Sequence, residues 1–444
     1  MVKHMNGLRT FLEAPGARTF GAVWVGQLVS ILGSAMTRFG LAIWVFTETG
    51  SVTQLALIVL ASQVPALLVS PFVGALVDRW DRRVAMIVSD TGAAVGTLAT
   101  LALIAAGRLE IWHLYVTLSF SGLFGAFQFP AYSAAVTMLI PKEHYARASG
   151  LVQLAGSLGR ILAPAIAGTL VVTVGLGPLF AIDVVSYLVA VGILAFQRFP
   201  SAPPSERRGA GVRGLLLEAR EGLSFVLERR GLLILMLSFV MVNFAFAFQG
   251  VLFIPLLLSL TTEQVAGVVA SIGAVGITIG SLVLTAWGGP ANKVLGVYVP
   301  IALMGAGLVL IGLRPALWLV IAGLLLMMTT HPVAGGSSQA IWQAKVPPEL
   351  QGRVFAIRQV SAIAASPVAF LTAGLLADRV FEPLFTEGGF ALATIFGSGA
   401  GRGTGFLFSC TGALAIAITM WAVRHPRIRG LEAEVADADA VVVG

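Results

Sequence analysis

The sequence comprises 444 residues, of which 57% are apolar and 11% are charged, and its mean hydropathy is +0.92. Soluble domains carry about 25% charged residues, so the composition excludes an ordinary soluble domain and indicates a polytopic membrane protein. The net charge of +7 does not by itself indicate a nucleic-acid partner, because in a membrane protein the placement of basic residues matters more than their sum. The single cysteine, Cys410, excludes a disulfide framework and a thiolate metal cluster.

Apolar runs long enough to cross a bilayer recur along nearly the whole chain. A bilayer core about 30 Å thick requires roughly 20 apolar residues per helix. The first run begins near Phe20 and lacks a small-residue cleavage site, so we expect a retained helix and no signal peptide. Twelve spans are predicted, at about 20–46, 52–77, 84–106, 111–139, 148–174, 177–197, 232–258, 264–287, 294–312, 316–344, 354–378 and 404–423.

Basic residues are distributed unevenly between the two sides of this predicted topology. With a cytoplasmic N-terminus, 21 of the 28 Lys and Arg residues lie in inner segments, 4 in outer segments, and 3 (Arg38, Arg160 and Arg358) within spans. This asymmetry follows the positive-inside rule. We therefore expect a multi-pass protein of the cell membrane with both termini cytoplasmic.

The stretch between the sixth and seventh predicted spans divides the chain. Within it, Leu216, Leu223 and Leu227 fall near one helical face, which predicts an amphipathic helix lying on the inner leaflet. The predicted domains are therefore an N-terminal bundle at 1–197, a cytoplasmic linker at 198–231, and a C-terminal bundle with a tail at 232–444.

The two halves share a faint internal repeat. Five residues recur at an offset of 206: Pro141, Glu143, Arg147, Gln153 and Gly168 match Pro347, Glu349, Arg353, Gln359 and Gly374. The matched positions connect equivalent spans, four to five and ten to eleven. Parallel duplicated halves around one path are a transporter architecture.

A tight charged turn joins the second and third predicted spans, Gly74-Ala-Leu-Val-Asp78-Arg79-Trp-Asp81-Arg82-Arg83. It resembles the loop signature between spans two and three of the major facilitator superfamily, and the span count, central linker and repeat extend the resemblance over the whole chain. The resemblance implies an all-α polytopic membrane protein with twelve transmembrane helices in two six-helix bundles. It also implies secondary transport by alternating access, with no enzymatic activity and no cofactor.

Three features resemble the drug:proton antiporter branch that includes macrolide and siderophore (enterobactin) exporters. They are Asp81 beside Trp80, where the superfamily usually has glycine, and the segments Val346–Phe355 and Ala373–Leu384. In the superfamily, the carboxylate equivalent to Asp78 caps a neighbouring helix and latches the halves together on the inner side. A helix N-terminus favours such a carboxylate, and the expected target is span eleven, starting near Arg353.

The predicted latch consists of Gly74, Asp78, Arg79, Asp81, Arg82, Arg83 and Asp90. Asp90 is included because it lies about two helical turns beyond Arg82 and Arg83. We expect Asp78→Asn to cripple transport while leaving folding nearly intact. The alternative is a solvated turn that only sets topology.

The fifth predicted span carries a second signature, Gly150, Gly159, Ala163, Pro164, Ala167 and Gly168. It resembles the antiporter motif of exporters in this superfamily, with alanine at two usual glycine positions. Small residues around a proline permit a kinked, closely packed helix. The motif favours export over uptake; ordinary helix packing is the alternative.

Charged residues inside spans are costly and are functional candidates. Arg160 and Asp183 lie at similar depth on sequential spans, so an ion pair is expected, and Asp183 becomes a candidate proton carrier whose protonation would release Arg160. Arg38 is a further candidate for proton coupling. The alternative is a fixed pair that only orients spans five and six. The fourth span, which often carries an arginine in proton-linked relatives, has no charged residue between Leu118 and Ala135.

Polar residues on the spans that line the path in this superfamily are candidates for substrate contact. They are Gln27, Gln63, Gln128, Tyr132, Asn243, Gln249, His331 and Gln339. His331 is followed by Pro332, which can loosen the helix. A wall with many aromatic and few polar groups suits an amphipathic or apolar solute better than a sugar.

Other classes of function are disfavoured by what the sequence lacks. A P-loop is excluded because no Gly-Lys pair occurs, and no His-Glu-x-x-His metal motif is present. The expected partners are a small-molecule substrate, protons and the lipid bilayer, without metal or nucleic acid, and the expected state is a monomer. Two alternatives to drug export remain, a flippase for lipids or lipid-linked molecules and a membrane scaffold or sensor without transport.

Overall fold

The computed structural model describes residues 13–199, 212–387 and 391–431, and this part of the chain is helical with no strand. The helices of the first half are α1 Ala17–Thr49, α2 Val52–Arg79, α3 Arg82–Ala105, α4 Ile111–Gly125, α5 Gln128–Leu139, α6 Tyr145–Val174, α7 Leu176–Phe196 and α8 Val212–Glu228. Those of the second half are α9 Arg230–Ala247, α10 Gln249–Leu258, α11 Glu263–Trp287, α12 Lys293–Leu313, α13 Leu317–Lys345, α14 Pro348–Ala364, α15 Ser366–Leu376, α16 Glu382–Thr386, α17 Ala393–Phe396, α18 Arg402–Arg424 and α19 Pro426–Arg429. A 3-10 turn covers Lys142–His144, and a π-helical turn covers Ala377–Phe381.

Eleven helical segments in the described residues are long and apolar enough to cross a membrane. They match eleven of the twelve predicted spans, so the prediction of an all-α polytopic protein is confirmed. The remaining predicted span, 111–139, is built from two shorter helices, α4 and α5. Pro130 explains the interruption, because a proline ring clashes with the carbonyl four residues earlier, here Ala126.

The proline of the tenth predicted span has no such effect. Helix α13 runs unbroken from Leu317 to Lys345 through Pro332. Pro332 therefore does not interrupt α13, and the expectation that it loosens this helix stays a prediction. Neighbouring helices in a membrane protein can satisfy the backbone group that a proline frees.

The chain divides into two compact units. The first contains Met1–Gly50, Leu57–Glu206 and Glu263–Ser271, and the second contains Ser51–Ala56, Arg207–Thr262 and Ile272–Gly444. Within the first unit, α1 packs against α6 and α7, and α3 packs against α4 and α7. Within the second, α12 packs against α13 and α18. The start of α2 thus belongs to the second unit, whereas the rest of α2 belongs to the first. The start of α11 belongs to the first unit, whereas the rest of α11 belongs to the second.

The predicted linker helix is present as α8, although residues 200–211 lie outside the described part. It buries Phe225 and Val226 and packs against α14, where Glu221 forms a 2.5 Å ion pair with Arg353. Leu223 and Leu227, on the predicted membrane face, are exposed. The placement of α8 on a leaflet stays a prediction.

Candidate transport sites

A buried carboxylate lies in the interior of the first unit. Asp183, on α7, has only 2% of its surface exposed. Its Oδ1 lies 2.9 Å from Ser34 Oγ, and its Oδ2 accepts a 3.4 Å hydrogen bond from Thr97 Oγ1. Ser34 Oγ is also 2.9 Å from the hydroxyl of Tyr187. Asp183 therefore sits at the meeting point of helices α1, α3 and α7, surrounded by neutral hydroxyl groups.

The cation near Asp183 is not the one that we predicted. Arg160 is exposed, and its Nη2 lies 3.4 Å from Ser157 Oγ on its own helix. The expected Arg160–Asp183 ion pair is therefore wrong. Arg38, one helical turn beyond Ser34 on α1, is a cation that interacts electrostatically with Asp183.

A second buried carboxylate lies on α3. Asp90, also 2% exposed, accepts a 3.0 Å hydrogen bond from Gln27 Nε2, and Gln128 Nε2 donates to Gln27 Oε1. The described hydrogen bond of Asp90 goes to Gln27, and its membership of the latch with Arg82 and Arg83 stays a prediction. Gln27 and Gln128, which were predicted to contact substrate, thus form one hydrogen-bonded chain with Asp90, which was predicted to belong to the latch.

The two carboxylate sites share a spacing. Gln27 and Ser34 are seven residues apart on α1, and Asp90 and Thr97 are seven apart on α3. Seven residues are nearly two helical turns, which brings both members of each pair to one face about 10 Å apart along the axis. A polar seam therefore runs between α1 and α3 inside the first unit, with a carboxylate near each end.

The charged loop between α2 and α3 has clear structural roles. Asp81 caps α3, since its carboxylate accepts hydrogen bonds from the backbone N–H groups of Arg83 at 2.8 Å and Val84 at 3.4 Å. Arg83 Nε donates a 2.7 Å bond to the carbonyl of Leu194 at the end of α7. Cations are favoured at a helix C-terminus, so this arginine ties α3 to α7.

The remaining residues of the predicted latch are Gly74, Asp78, Arg79 and Arg82. Nη1 of Arg82 donates a 3.3 Å bond to the carbonyl of Trp80. The side-chain surroundings of Gly74, Asp78 and Arg79 lie outside the described features. Capping of span eleven by Asp78 therefore stays a prediction.

The small residues of the fifth predicted span permit a close helix contact within the first unit. A Cβ at Gly168 would lie 2.5 Å from the carbonyl oxygen of Glu263, and one at Gly267 would lie 2.3 Å from that of Pro164. Both distances are too short for a real side chain, so α6 and the first turn of α11 can meet here only through glycine. The rest of the motif consists of Ala163 and Ala167, which are buried, Gly159, which lies against Ile31, and Gly150, whose surroundings are open.

A cavity of about 310 Å³ lies inside the second unit. Cavities that bind small molecules begin at about this size. The lining contains three predicted substrate-contact residues, Asn243, Gln249 and His331. The other lining residues are Phe239, Val242, Phe246, Ile277, Ile301, Met304, Met327, Met328, Ala334 and Gly335.

The other predicted substrate-contact residues lie away from this cavity. Gln339 accepts a 2.8 Å hydrogen bond from Arg358 Nη1, Gln63 is exposed, and Tyr132 is buried. The methionines of the lining were not predicted, because they carry no polar signal in the sequence. Ser34 and Thr97 were not predicted either, although their seven-residue spacing from Gln27 and Asp90 could have revealed them.

Comparison with known proteins bears directly on the family. The model of the Major Facilitator Superfamily matches residues 23–370. The chain belongs to this superfamily. It is therefore a multi-pass membrane transporter, and the predicted resemblance is confirmed.

Characterised relatives are efflux proteins. Macrolide efflux protein A of Streptococcus pyogenes is 28% identical over 374 residues, covering 81% of this chain and 90% of the relative. Multidrug efflux pump Tap of Mycolicibacterium fortuitum is 26% identical over 374 residues, covering 80% and 90%. In fold, the chain resembles an inward-facing bacterial homologue of the human lysosomal transporter Spinster, with a TM-score of 0.66 at 14% identity, covering 92% of this chain and 95% of that one.

Proposed function

We propose that this superfamily member exports a hydrophobic or amphipathic small molecule, such as a macrolide-like drug, siderophore or peptide natural product, in exchange for protons. The observation that carries the proposal is the cavity of the second unit. Its walls are formed mostly by Phe, Met, Val and Ile side chains, with only Asn243, Gln249 and His331 offering polar side chains. Such a lining suits a solute with a large apolar surface and a few directed polar groups.

Asn243 has part of its hydrogen-bonding capacity already used. Its Nδ2 donates a 2.8 Å bond to the carbonyl of Phe239 on the same helix. The amide is thereby held in one orientation, which leaves its oxygen to accept from a solute. Two neighbours in the lining, Met327 and Met328, can adapt to solutes of different shapes, because their thioether side chains are unbranched and polarizable. Phe239 and Phe246 add aromatic surface beside them.

Proton exchange is assigned to Asp183. An ionised carboxylate is expensive inside a membrane protein, and such residues mark proton relays. The hydroxyls of Ser34 and Thr97 can accept from a protonated Asp183 or donate to an ionised one. Asp183 can therefore load and release a proton without losing its hydrogen-bonded surroundings.

The relatives favour drug export over the two alternatives. Both characterised relatives named above are efflux proteins and align along about four fifths of this chain. A lipid flippase would accept lipids in the same cavity, and a scaffold would accept no solute.

Proteoliposome flux tests the proposal. Purified protein is reconstituted, a pH gradient is imposed, and movement of a fluorescent macrolide is followed, with Asp183→Asn as the matched variant. We expect gradient-driven movement that Asp183→Asn abolishes. Movement of a fluorescent phospholipid that a macrolide does not inhibit would instead indicate a flippase, and movement of neither probe would favour the scaffold.

A further inference from the structure

A partly buried polar contact joins helices within the second unit, at Asp378 in the π-helical turn. One carboxylate oxygen of Asp378 accepts hydrogen bonds from Ser51 Oγ at 2.6 Å and Thr53 N at 2.8 Å, and the other accepts from Val52 N at 2.9 Å. Two of these donors are backbone N–H groups of the first turn of α2, which no carbonyl within that helix can satisfy. Asp378 thus caps a helix that lies more than 300 residues earlier in the chain.

The contact depends on a glycine one turn earlier. A Cβ at Gly374 would lie 2.8 Å from the Cα of Thr53, so only glycine permits this approach. Gly374 is the repeat counterpart of Gly168, which makes the equivalent close approach to the first turn of α11. The residue that matches Asp378 in the first half is Val172. Both halves therefore have the glycine contact, but only the second half adds a carboxylate.

The π-helical turn and the residue that follows it supply carboxylates that cap two different helices. Glu382, four residues after Asp378, accepts hydrogen bonds from Thr404 N at 2.7 Å, Thr404 Oγ1 at 2.6 Å and Gly401 N at 3.0 Å. It therefore caps α18, whereas Asp378 caps α2. A π-helical turn is wider than an α-helical one, and such turns are frequent at functional sites.

The sequence around Asp378 repeats that around Asp78. Gly374-Leu-Leu-Ala-Asp378-Arg379 and Gly74-Ala-Leu-Val-Asp78-Arg79 share the pattern Gly-x-Leu-x-Asp-Arg. In the predicted topology, Asp78 lies on the inner side and Asp378 on the outer side. The second span would then carry Asp78 at its inner end, and its outer end would be capped by Asp378.

We propose that Asp378 is a positioning residue of the transport cycle, which holds the start of α2 against the end of span eleven and releases it during the cycle. Ser51–Ala56 belong with Asp378 to the second unit, whereas α2 from Leu57 onward belongs to the first unit, so movement of the first unit acts on this cap through α2. Asp378 thereby sets how readily the start of α2 is released. The inference rests on the alternating-access transport proposed above.

Cysteine accessibility tests the inference. In a Cys410→Ser background, Thr53→Cys reports on the contact, since Thr53 takes part through its backbone N–H. Its labelling by a membrane-impermeant maleimide is measured in vesicles. We expect Asp378→Asn to speed labelling at least about fivefold, because the neutral amide loses charge-assisted hydrogen bonds and the favourable interaction with the helix dipole. Ser51→Ala, which removes one of the three bonds to Asp378 together with the 3.2 Å bond from Gln54 N to Ser51 Oγ, should speed labelling about twofold.

Glu382→Gln is the matched control, because it weakens a cap on α18 and leaves the start of α2 untouched. Its labelling rate should stay at that of the background. An Asp378→Asn rate equal to the background would overturn the inference. Should Asp378→Asn not fold, Ser51→Ala decides, and an unchanged rate there overturns it. Labelling requires neither solute nor proton gradient, so this result is separate from any failure of the export proposal.

Discussion

The interiors of the two units differ in chemistry. The first unit buries two carboxylates, Asp90 and Asp183, each held by neutral hydrogen-bond partners. Among the described residues of the second unit no Asp or Glu side chain is buried, and the interior there contains the apolar cavity around Phe246 and His331. The proposed function assigns these two interiors different roles: the first unit exchanges protons, and the second contacts the solute.

Replacing Asp183 should have the largest effect on this division. Asp183→Asn keeps the size of the side chain but cannot exchange a proton near neutral pH. We expect gradient-driven flux to fall at least about tenfold while the Kd for solute changes less than about twofold. Flux and equilibrium binding are measured on the same preparation, and an equal loss of both would show that the two units are not specialised.

Phe246→Ala should produce the reverse pattern, with weaker solute binding and an unchanged response to pH. Loss of one aromatic wall of the cavity costs about 1–2 kcal/mol of apolar contact, which is roughly a tenfold increase in the Kd for a fluorescent macrolide. The dependence of flux on pH should stay unchanged. Phe244→Ala is the matched control, because Phe244 lies two residues away, packs edge-on against Phe248, and is not part of the lining.

Replacing Asp90 tests whether the two buried carboxylates of the first unit have different roles. In Asp90→Asn, the amide oxygen can still accept the bond from Gln27, so the packing of α1 against α3 should survive. We expect flux to fall only about threefold, with expression and monodispersity close to wild type. If Asp90→Asn abolished gradient-driven flux and Asp183→Asn did not, the proton site would move to Asp90.

The smallest effect is expected from the replacement of Glu221, which lies outside the interiors of both units. Glu221 and Arg353 form an ion pair between α8 and α14 in which both side chains are partly exposed, and such pairs contribute about 0–1 kcal/mol. Glu221→Gln should therefore leave flux and solute binding unchanged and shift the melting temperature by less than about 2 °C. A large change in flux would indicate that the linker helix takes part in transport.

Much of the fold could be predicted because membrane insertion leaves few options. A backbone in lipid must satisfy its own hydrogen bonds, so long apolar runs become helices. The exception, the break before Gln128, depended on a single proline, and the same residue type at Pro332 caused no break. Which proline interrupts a helix depends on the neighbours that satisfy the freed carbonyl, and these neighbours are not adjacent in sequence.

The candidate sites were less predictable. Asp183 could be identified as costly from its position alone, but its expected partner, Arg160, points elsewhere, and the hydroxyl groups of Ser34 and Thr97 take its place. Similar depth on two helices does not define which faces meet. The side chains of a helix leave in every direction, so an error of one or two residues in rotation exchanges one partner for another.

The sequence by itself determined the class, the family, the position of eleven of the twelve predicted spans and the presence of a costly charge at Asp183, because apolar length and charge placement are local properties. Only the tertiary structure decided which polar groups meet: Gln27 with Asp90, Ser34 and Thr97 with Asp183, and Ser51 with Asp378. The members of these pairs are separated by 63 to 327 residues in the sequence. Such contacts depend on the rotation and approach of packed helices, which small residues like Gly374 permit but do not encode.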